Sequence, residues 1–242
     1  GVIMAELSGA LDGHELTAVT LTSSSTANAT TSGTITPSAA TINNGNTDVT
    51  ANYDITYVNG VLTVDRAATG VTTPPAAKTG LVYNGGAQEL VTPGEGVSGG
   101  TLYYAVTLTD EEPEDSEYST EIPKEKNSGV YYVWYKIVAD EDHIDSDVSH
   151  FTVAIDKKEI TISGITALDK TYDTTVEVTL SLDSVVYGGI VEGDILTVTA
   201  TGAFEDENAG EDKNVAINII SLGGTDIDNY RLTQDGQQTS TT

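Results

Sequence analysis

Apolar and polar residues alternate with a period of two along most of the chain. That is the spacing of a strand with one buried and one solvated face. Tyr53, Ile55 and Tyr57 alternate with Asp54 and Thr56. Asn59-Gly60 follows, and then Val61, Leu62, Thr63 and Val64. Asn-Gly between two alternating runs predicts a hairpin with a type I′ turn, which needs positive φ at both central residues. That register sets Tyr57 opposite Leu62, Ile55 opposite Val64 and Thr56 opposite Thr63. Further strands are expected at 101–108, 130–138 and 150–155, and then at 159–163, 176–182, 195–200, 215–220 and 230–233. In the aromatic stretch 131–137, alternation turns Tyr131, Val133, Tyr135 and Ile137 to the core and Tyr132, Trp134 and Lys136 outward. No window carries a capped helical stripe.

Gly-, Asn-Gly- and Asp-rich punctuation between short strands predicts an all-β fold. We expect tandem small Ig-like β-sandwich modules, with β-grasp-like modules carrying one short helix as the alternative. Thr72-Thr73-Pro74-Pro75 reads as a linker and Asp156-Lys157-Lys158 as a polar hinge. The expected modules are 1–67, 68–157 and 158–242. They look like copies of one plan. Asn52-Tyr53 parallels Asp228-Asn229-Tyr230, Tyr83-Asn84-Gly85 parallels Tyr172-Asp173-Thr174, and Asn127-Ser128-Gly129 parallels Asn208-Ala209-Gly210. The first and third modules read as truncated, as in a piece cut from a longer array.

Composition narrows the picture. Ten basic against 37 acidic side chains give a formal charge of −27, which disfavours nucleic acid and anionic membrane surfaces. The 38% hydrophobic content and twelve Tyr argue against an acidic disordered tail. With no Cys in the chain, disulfides, thiolate metal sites and cysteine nucleophiles are excluded. No apolar run reaches the length of a membrane-spanning helix.

Particular residues resemble known repeats. Leu168-Asp169-Lys170-Thr171-Tyr172-Asp173-Thr174-Thr175, Gly188-Gly189-Ile190-Val191-Glu192-Gly193-Asp194, Ala203-Phe204-Glu205-Asp206, Asn208-Ala209-Gly210 and Asp228-Asn229-Tyr230-Arg231-Leu232 resemble the YDG-type repeat of bacterial surface proteins. Thr174 stands where that repeat usually has Gly. Asp48-Val49-Thr50, the stretch from Asn52 to Gly60 and Leu62-Thr63-Val64 resemble the MBG-type repeat. The middle module is similar to a related repeat of Gram-positive gut bacteria through Leu81 to Gly85, Gln88 to Val91, Gly99-Gly100-Thr101, Ile122-Pro123-Lys124 and Gly129 to Lys136. The resemblance implies extracellular, non-catalytic modules of long, adhesin-like surface or secreted proteins. We expect a stalk or spacer role, a monomer, and neighbouring repeats of the same chain as partners.

The chemical candidates are few. Gly94-x-Gly96-x-x-Gly99 matches a dinucleotide-binding pattern, but a strand follows it where a helix is required. Acidic loops lie at 110–115, 140–147 and 205–212. Asp140, Asp142, Asp145 and Asp147 are the candidate ligands of a weak Ca²⁺ site, which wants six to eight converging oxygens; a solvated loop is the competing reading. Carboxylate pairs able to hydrolyse a glycoside carry almost no signal among 37 acidic residues. His14, His143 and His150 accompany no hydrolase or metalloprotease motif. Tyr104, Tyr132, Trp134 and Lys136 are the candidate binding set, for a host or dietary glycan or protein; packing of Trp134 under a loop is the alternative. Lys136 outward and Lys170 in a turn leave little support for an isopeptide staple.

Overall fold

The computed structural model describes residues 4–24, 29 and 32–242. The fold is all-β, with 48% of residues in strands and no helix of seven or more residues among the described residues. Among them, 3₁₀ turns at Thr50–Asn52, Asp115–Glu117 and Ile227–Asn229 punctuate the strands. The chain gathers into two compact units. One comprises residues 1–72, 96–102 and 137–147; the other comprises 73–95, 103–136 and 148–242. Residues from the expected middle module are therefore found in both units, while residues 158–242 lie wholly in the second.

In the first unit His14–Ser23 runs antiparallel to Gly33–Asn44, from His14 opposite Asn44 to Ser23 opposite Ile35, with register shifts on either side of Ala18. Ile35 and Ile42 are buried. The expected Asn59-Gly60 hairpin does not form. Gly60–Leu62 pairs instead with Gly33, Thr34 and Ile35, and residues 53–59 follow no strand. Neither Asn59 nor Gly60 takes the positive φ that a type I′ turn needs. The tyrosines of that segment are used otherwise: the Tyr57 hydroxyl accepts the Ala40 N–H at 2.9 Å. Long-range pairing to a ready-made edge has displaced a locally encoded turn.

In the second unit residues 129–135 pair antiparallel with Ser149–Asp156, with Tyr131 opposite Val153 and Val133 opposite Phe151. Leu81–Val82 adds in parallel beside Ile155 and Asp156, and Gly100–Thr107 lies on the other side of Gly129–Ala139. Tyr131, Val133, Val153 and Ile155 are buried, as period-two alternation requires.

The C-terminal part of the same unit places Lys158–Ser163 between Val186–Gly188, antiparallel, and Tyr230–Leu232, parallel. Thr197–Phe204 pairs with Val215–Gly223 through a bulge at Thr201/Gly202. Ile160, Ile162, Ile165, Leu196, Val215 and Tyr230 form its core. The expected strand 176–182 shortens to Leu180–Ser181 and a bridge from Glu177 to Ala203.

Candidate functional site

The four residues expected to face outward do not form one exposed face. Trp134 is 7% exposed and Tyr104 only 4%. Trp134 packs with Ala105 and Tyr118, and Tyr103, Tyr132 and Val148 close around it. The indole N–H donates to Thr107 Oγ1 at 2.9 Å, and the ring stacks on His150 at 4.2 Å between centroids. Lys136 lies beneath the same cover: its side chain is largely buried, its Nζ sits 4.3 Å from the centre of the Tyr118 ring, and it pairs with Asp115. Tyr104 neighbours Ala105 in its strand and so points to the opposite face, where its hydroxyl accepts the Gly94 N–H at 3.3 Å. The face predicted to meet solvent is covered by the segment that carries Asp115–Glu117 and Tyr118. Two-residue alternation distinguishes two faces, but it cannot tell a solvated face from one covered by a loop distant in sequence.

The aspartates of 140–147 do not converge either. Asp140 accepts the Asp142 N–H at 3.0 Å and meets His143 Nδ1. Asp142 accepts the Ala29 N–H at 2.9 Å, and Asp145 accepts the Ala139 N–H at 2.7 Å. No hydrogen bond joins Asp147 to the other three carboxylates. Asp140 builds its own turn, Asp142 and Asp145 cap backbone N–H groups elsewhere, and among the described residues no group of three His, Asp or Glu side chains is placed to hold a metal ion. The Gly94-x-Gly96-x-x-Gly99 stretch enters the strand Glu95–Ser98 and no helix.

The most developed polar constellation lies within the second unit, where residues 68–157 meet residues 158–242. Tyr83 is 1% exposed and Tyr230 2%. Their rings pack edge to face at 5.4 Å, a favoured aromatic geometry. Both hydroxyls donate to the same oxygen, Asp194 Oδ2, that of Tyr83 at 2.8 Å. The Tyr230 oxygen in turn accepts the Val191 N–H at 3.0 Å. Gly85, at φ +82°, sets its bare Cα against Val191, so that a Cβ there would collide with the Val191 side chain. Beside this, Asn229 Oδ1 accepts the Ser128 N–H at 2.8 Å and the Ser128 hydroxyl donates to the Asp228 carbonyl at 2.7 Å. The chain thus folds a Tyr-Asn-Gly turn and an Asn-Ser-Gly turn from one segment into a socket made by Gly193-Asp194 and Asp228-Asn229-Tyr230 of the next.

Local structure explains why these residues meet. The 3₁₀ turn Ile227–Asn229 delivers Tyr230 into the strand beside Lys158. Val191 to Asp194 make a tight turn with Gly193 at φ +93°, a conformation that Gly adopts without a Cβ penalty. The first unit repeats the geometry. Thr50–Asn52 forms a 3₁₀ turn before Tyr53, and Gly13 has φ +82°. Tyr53 Oη accepts the Leu11 N–H at 3.2 Å and lies 2.6 Å from His14 Nδ1. His14 therefore occupies the place of Asp194. Neither was singled out as a site residue from the sequence. The signal was there: Leu11-Asp12-Gly13-His14-Glu15-Leu16-Thr17 runs parallel to Val191-Glu192-Gly193-Asp194-Ile195-Leu196-Thr197.

The clasp has a pH signature. Burial first, and then the Asp194 hydrogen bond, pushes the Tyr230 phenol up to about 12. Tyr83 is raised by the same two causes. A phenol is neutral when protonated, so a folded-state value above the ordinary 10 means that the fold favours the protonated form. That stability is complete below pH ~10 and is lost as pH climbs through about 12. Alkaline absorbance titration is expected to show exposed tyrosines ionising first and a late class ionising together with loss of β-sheet circular dichroism. If every tyrosine ionised near pH 10 with the fold unchanged, the clasp as described would be wrong.

Chemically the arrangement holds segments together. No helix among the described residues is long and apolar enough to cross a membrane. No curated protein and no solved structure matches the chain. The socket residues Asp194, Asn229 and Tyr230 fall inside the stretch that does match a known family: a YDG domain is found at residues 156–241.

Proposed function

We propose that this chain is a non-catalytic segment of tandem β modules that acts as a spacer in a bacterial, adhesin-like surface protein. The observation that supports this reading is the clasp. Two tyrosine hydroxyls share one carboxylate across the boundary between residues 68–157 and the YDG domain, and an asparagine–serine pair stands beside them. A junction built from buried rings and satisfied hydrogen bonds resists bending better than a bare Asp-Lys-Lys hinge. A spacer benefits from such a junction, because each module then transmits its orientation to the next. The acidic surface fits an extracellular, soluble role, and within this proposal the first segment is an MBG-like module. Burial of Tyr104 and Trp134 removes the support for an aromatic glycan-binding face in the middle segment.

The test is location. Antibodies to this segment should label intact cells of a bacterium that makes the protein, and external protease should remove the label. Labelling that appears only after lysis would overturn the proposal.

A further inference from the structure

We infer that the turn Tyr172-Asp173-Thr174 is a second docking knob, which seats in the socket of another YDG-type module in the way that Tyr83-Asn84-Gly85 seats in the socket of this one. The partner is defined by its chemistry. It must present a carboxylate or imidazole after a tight Gly turn, with a tyrosine hydroxyl beside it, as Asp194 with Tyr230 and His14 with Tyr53 do here.

The two turns have the same construction. Asn84 Oδ1 accepts the Gly86 N–H at 2.9 Å, and Asp173 Oδ1 accepts the Thr175 N–H at 3.0 Å. The residue between donor and acceptor has positive φ in both, +82° at Gly85 and +63° at Thr174. For a β-branched residue that conformation is a true outlier, so the turn is held against local strain. Lys170 holds it, by donating to the Thr175 carbonyl and hydroxyl at 2.9 Å and pairing with Asp173 at 2.8 Å. The tyrosines differ in what covers them: Tyr83 is 1% exposed in its socket and Tyr172 is 60% exposed.

The second half of the docking surface has a counterpart as well. In the clasp, the Asn127-Ser128 turn supplies the N–H that Asn229 accepts. Its equivalent, Asn208-Ala209, lines a cleft of about 590 Å³ together with Tyr172. Ala209 keeps the backbone donor and lacks only the serine hydroxyl. Thr242 lines the same cleft, so a module joined there begins beside the knob. Tyr83 has the matching position, with its N–H on the carbonyl of Asp156, where the YDG domain begins. Knob, backbone donor and exit point thus recur together in the YDG domain. The mismatch that bears on the fit is Thr174, whose Cβ takes the space that Gly85 leaves for Val191. The incoming module must offer a smaller or rotated residue there.

The experiment uses the full chain with a second copy of residues 156–241 fused after Thr241. The chain has no native Cys, so introduced thiols are unambiguous. The control pair is Gly85→Cys with Val191→Cys. A Cβ at Gly85 would lie 3.6 Å from Val191 Cβ, inside the disulfide range of roughly 3.5–4.5 Å. The test pair is Thr174→Cys in the first YDG domain with Val191→Cys in the appended copy, where Cys also removes the Val191 crowding. Oxidation is expected to close the test pair to an extent comparable with the control, and Tyr172→Ala in the first domain should cut the yield at least tenfold. No crosslink in the test pair while the control closes overturns the inference. So does a crosslink indifferent to Tyr172→Ala, which would reflect the tether alone or an appended copy that stays unfolded. The readout uses purified protein, so it is decided separately from the surface location proposed above.

Discussion

Trp134→Ala should destabilise the second unit by about 3–5 kcal/mol, the range for removing a large aromatic from a packed core. The residue was a candidate ligand-stacking side chain from its place in the strand pattern, and an exposed indole would be lost at little expense. The structure gives it a different role. It is buried against Ala105 and Tyr118, stacks on His150 and donates to Thr107. Truncation removes the indole, leaves a cavity under Tyr118 and strips the Thr107 hydroxyl of its donor. The covering segment carries one 3₁₀ turn, Asp115–Glu117, and beyond Tyr118 it is tied to the sheet by the Ser119–Tyr104 bridge and the Asp115 pair with Lys136. Lys136, whose ammonium sits over Tyr118, should become more exposed. Denaturant unfolding followed by far-UV circular dichroism measures the loss. Because Trp134 is the sole tryptophan, the parent protein should also show blue-shifted emission that moves red on unfolding. A loss below about 1 kcal/mol, within the range of ordinary surface substitutions and small changes, would mean that the indole is not a core element. Trp134→Phe, which keeps the ring packing and loses the N–H, should fall between the two.

Asp194→Ala carries the second large effect, about 3 kcal/mol. The substitution leaves the Tyr83 and Tyr230 hydroxyls without their shared acceptor, and each buried unpaired group costs about 1–3 kcal/mol. Partial compensation by water keeps the sum below the maximum. Asp194→Asn retains one acceptor oxygen and should lose roughly half as much. A double-mutant cycle identifies the source. Tyr83→Phe alone should cost about 1 kcal/mol, and on the Asp194→Ala background it should cost nothing or restore stability, because the orphaned hydroxyl is gone. Additive losses from the two substitutions would show that the tyrosine and the aspartate do not act as one unit. The location of the effect matters as much as its size. Hydrogen exchange should rise at Val191, Ser128 and Tyr83, whose N–H groups bridge the boundary or flank it, before it rises in the strand Val215–Gly223.

Much of this architecture was legible in the sequence, for definite reasons. The strands near 101–107, 130–138, 150–155 and 159–163 lie where β-branched and aromatic residues alternate, because that pattern fits a half-buried pleated surface regardless of its neighbours. The pairing of Tyr83-Asn84-Gly85 with Tyr172-Asp173-Thr174 was visible as a repeat, and the structure adds that both segments adopt one turn. Three things were not legible. The Asn59-Gly60 hairpin is a strong local signal, yet residues 60–62 pair with Gly33 to Ile35. For Trp134 the sequence left two readings, an outward face or packing under a loop, and the structure shows the second; alternation could not decide between them because the residues packed on it from other segments lie 14 to 31 positions away in sequence. The aspartates of 140–147 are dense in sequence but diverge in space, with Asp140, Asp142 and Asp145 drawn to three different backbone N–H groups.

The sequence by itself determined the class of fold, the positions of the strands near 101–107, 130–138, 150–155 and 159–163, and the motifs that recur. These depend on side-chain size, β-branching and turn chemistry, which act over a few residues at a time. Only the tertiary structure decided which faces are covered, which edge each short strand joins, and that Asp194 is the point where two tyrosines from separate segments converge. Those outcomes depend on chain segments distant in sequence, about 25 residues apart for 60–62 and 33–35 and 111 for Tyr83 and Asp194. Burial, and with it the strength of every hydrogen bond in the clasp, exists only once such segments have excluded water together.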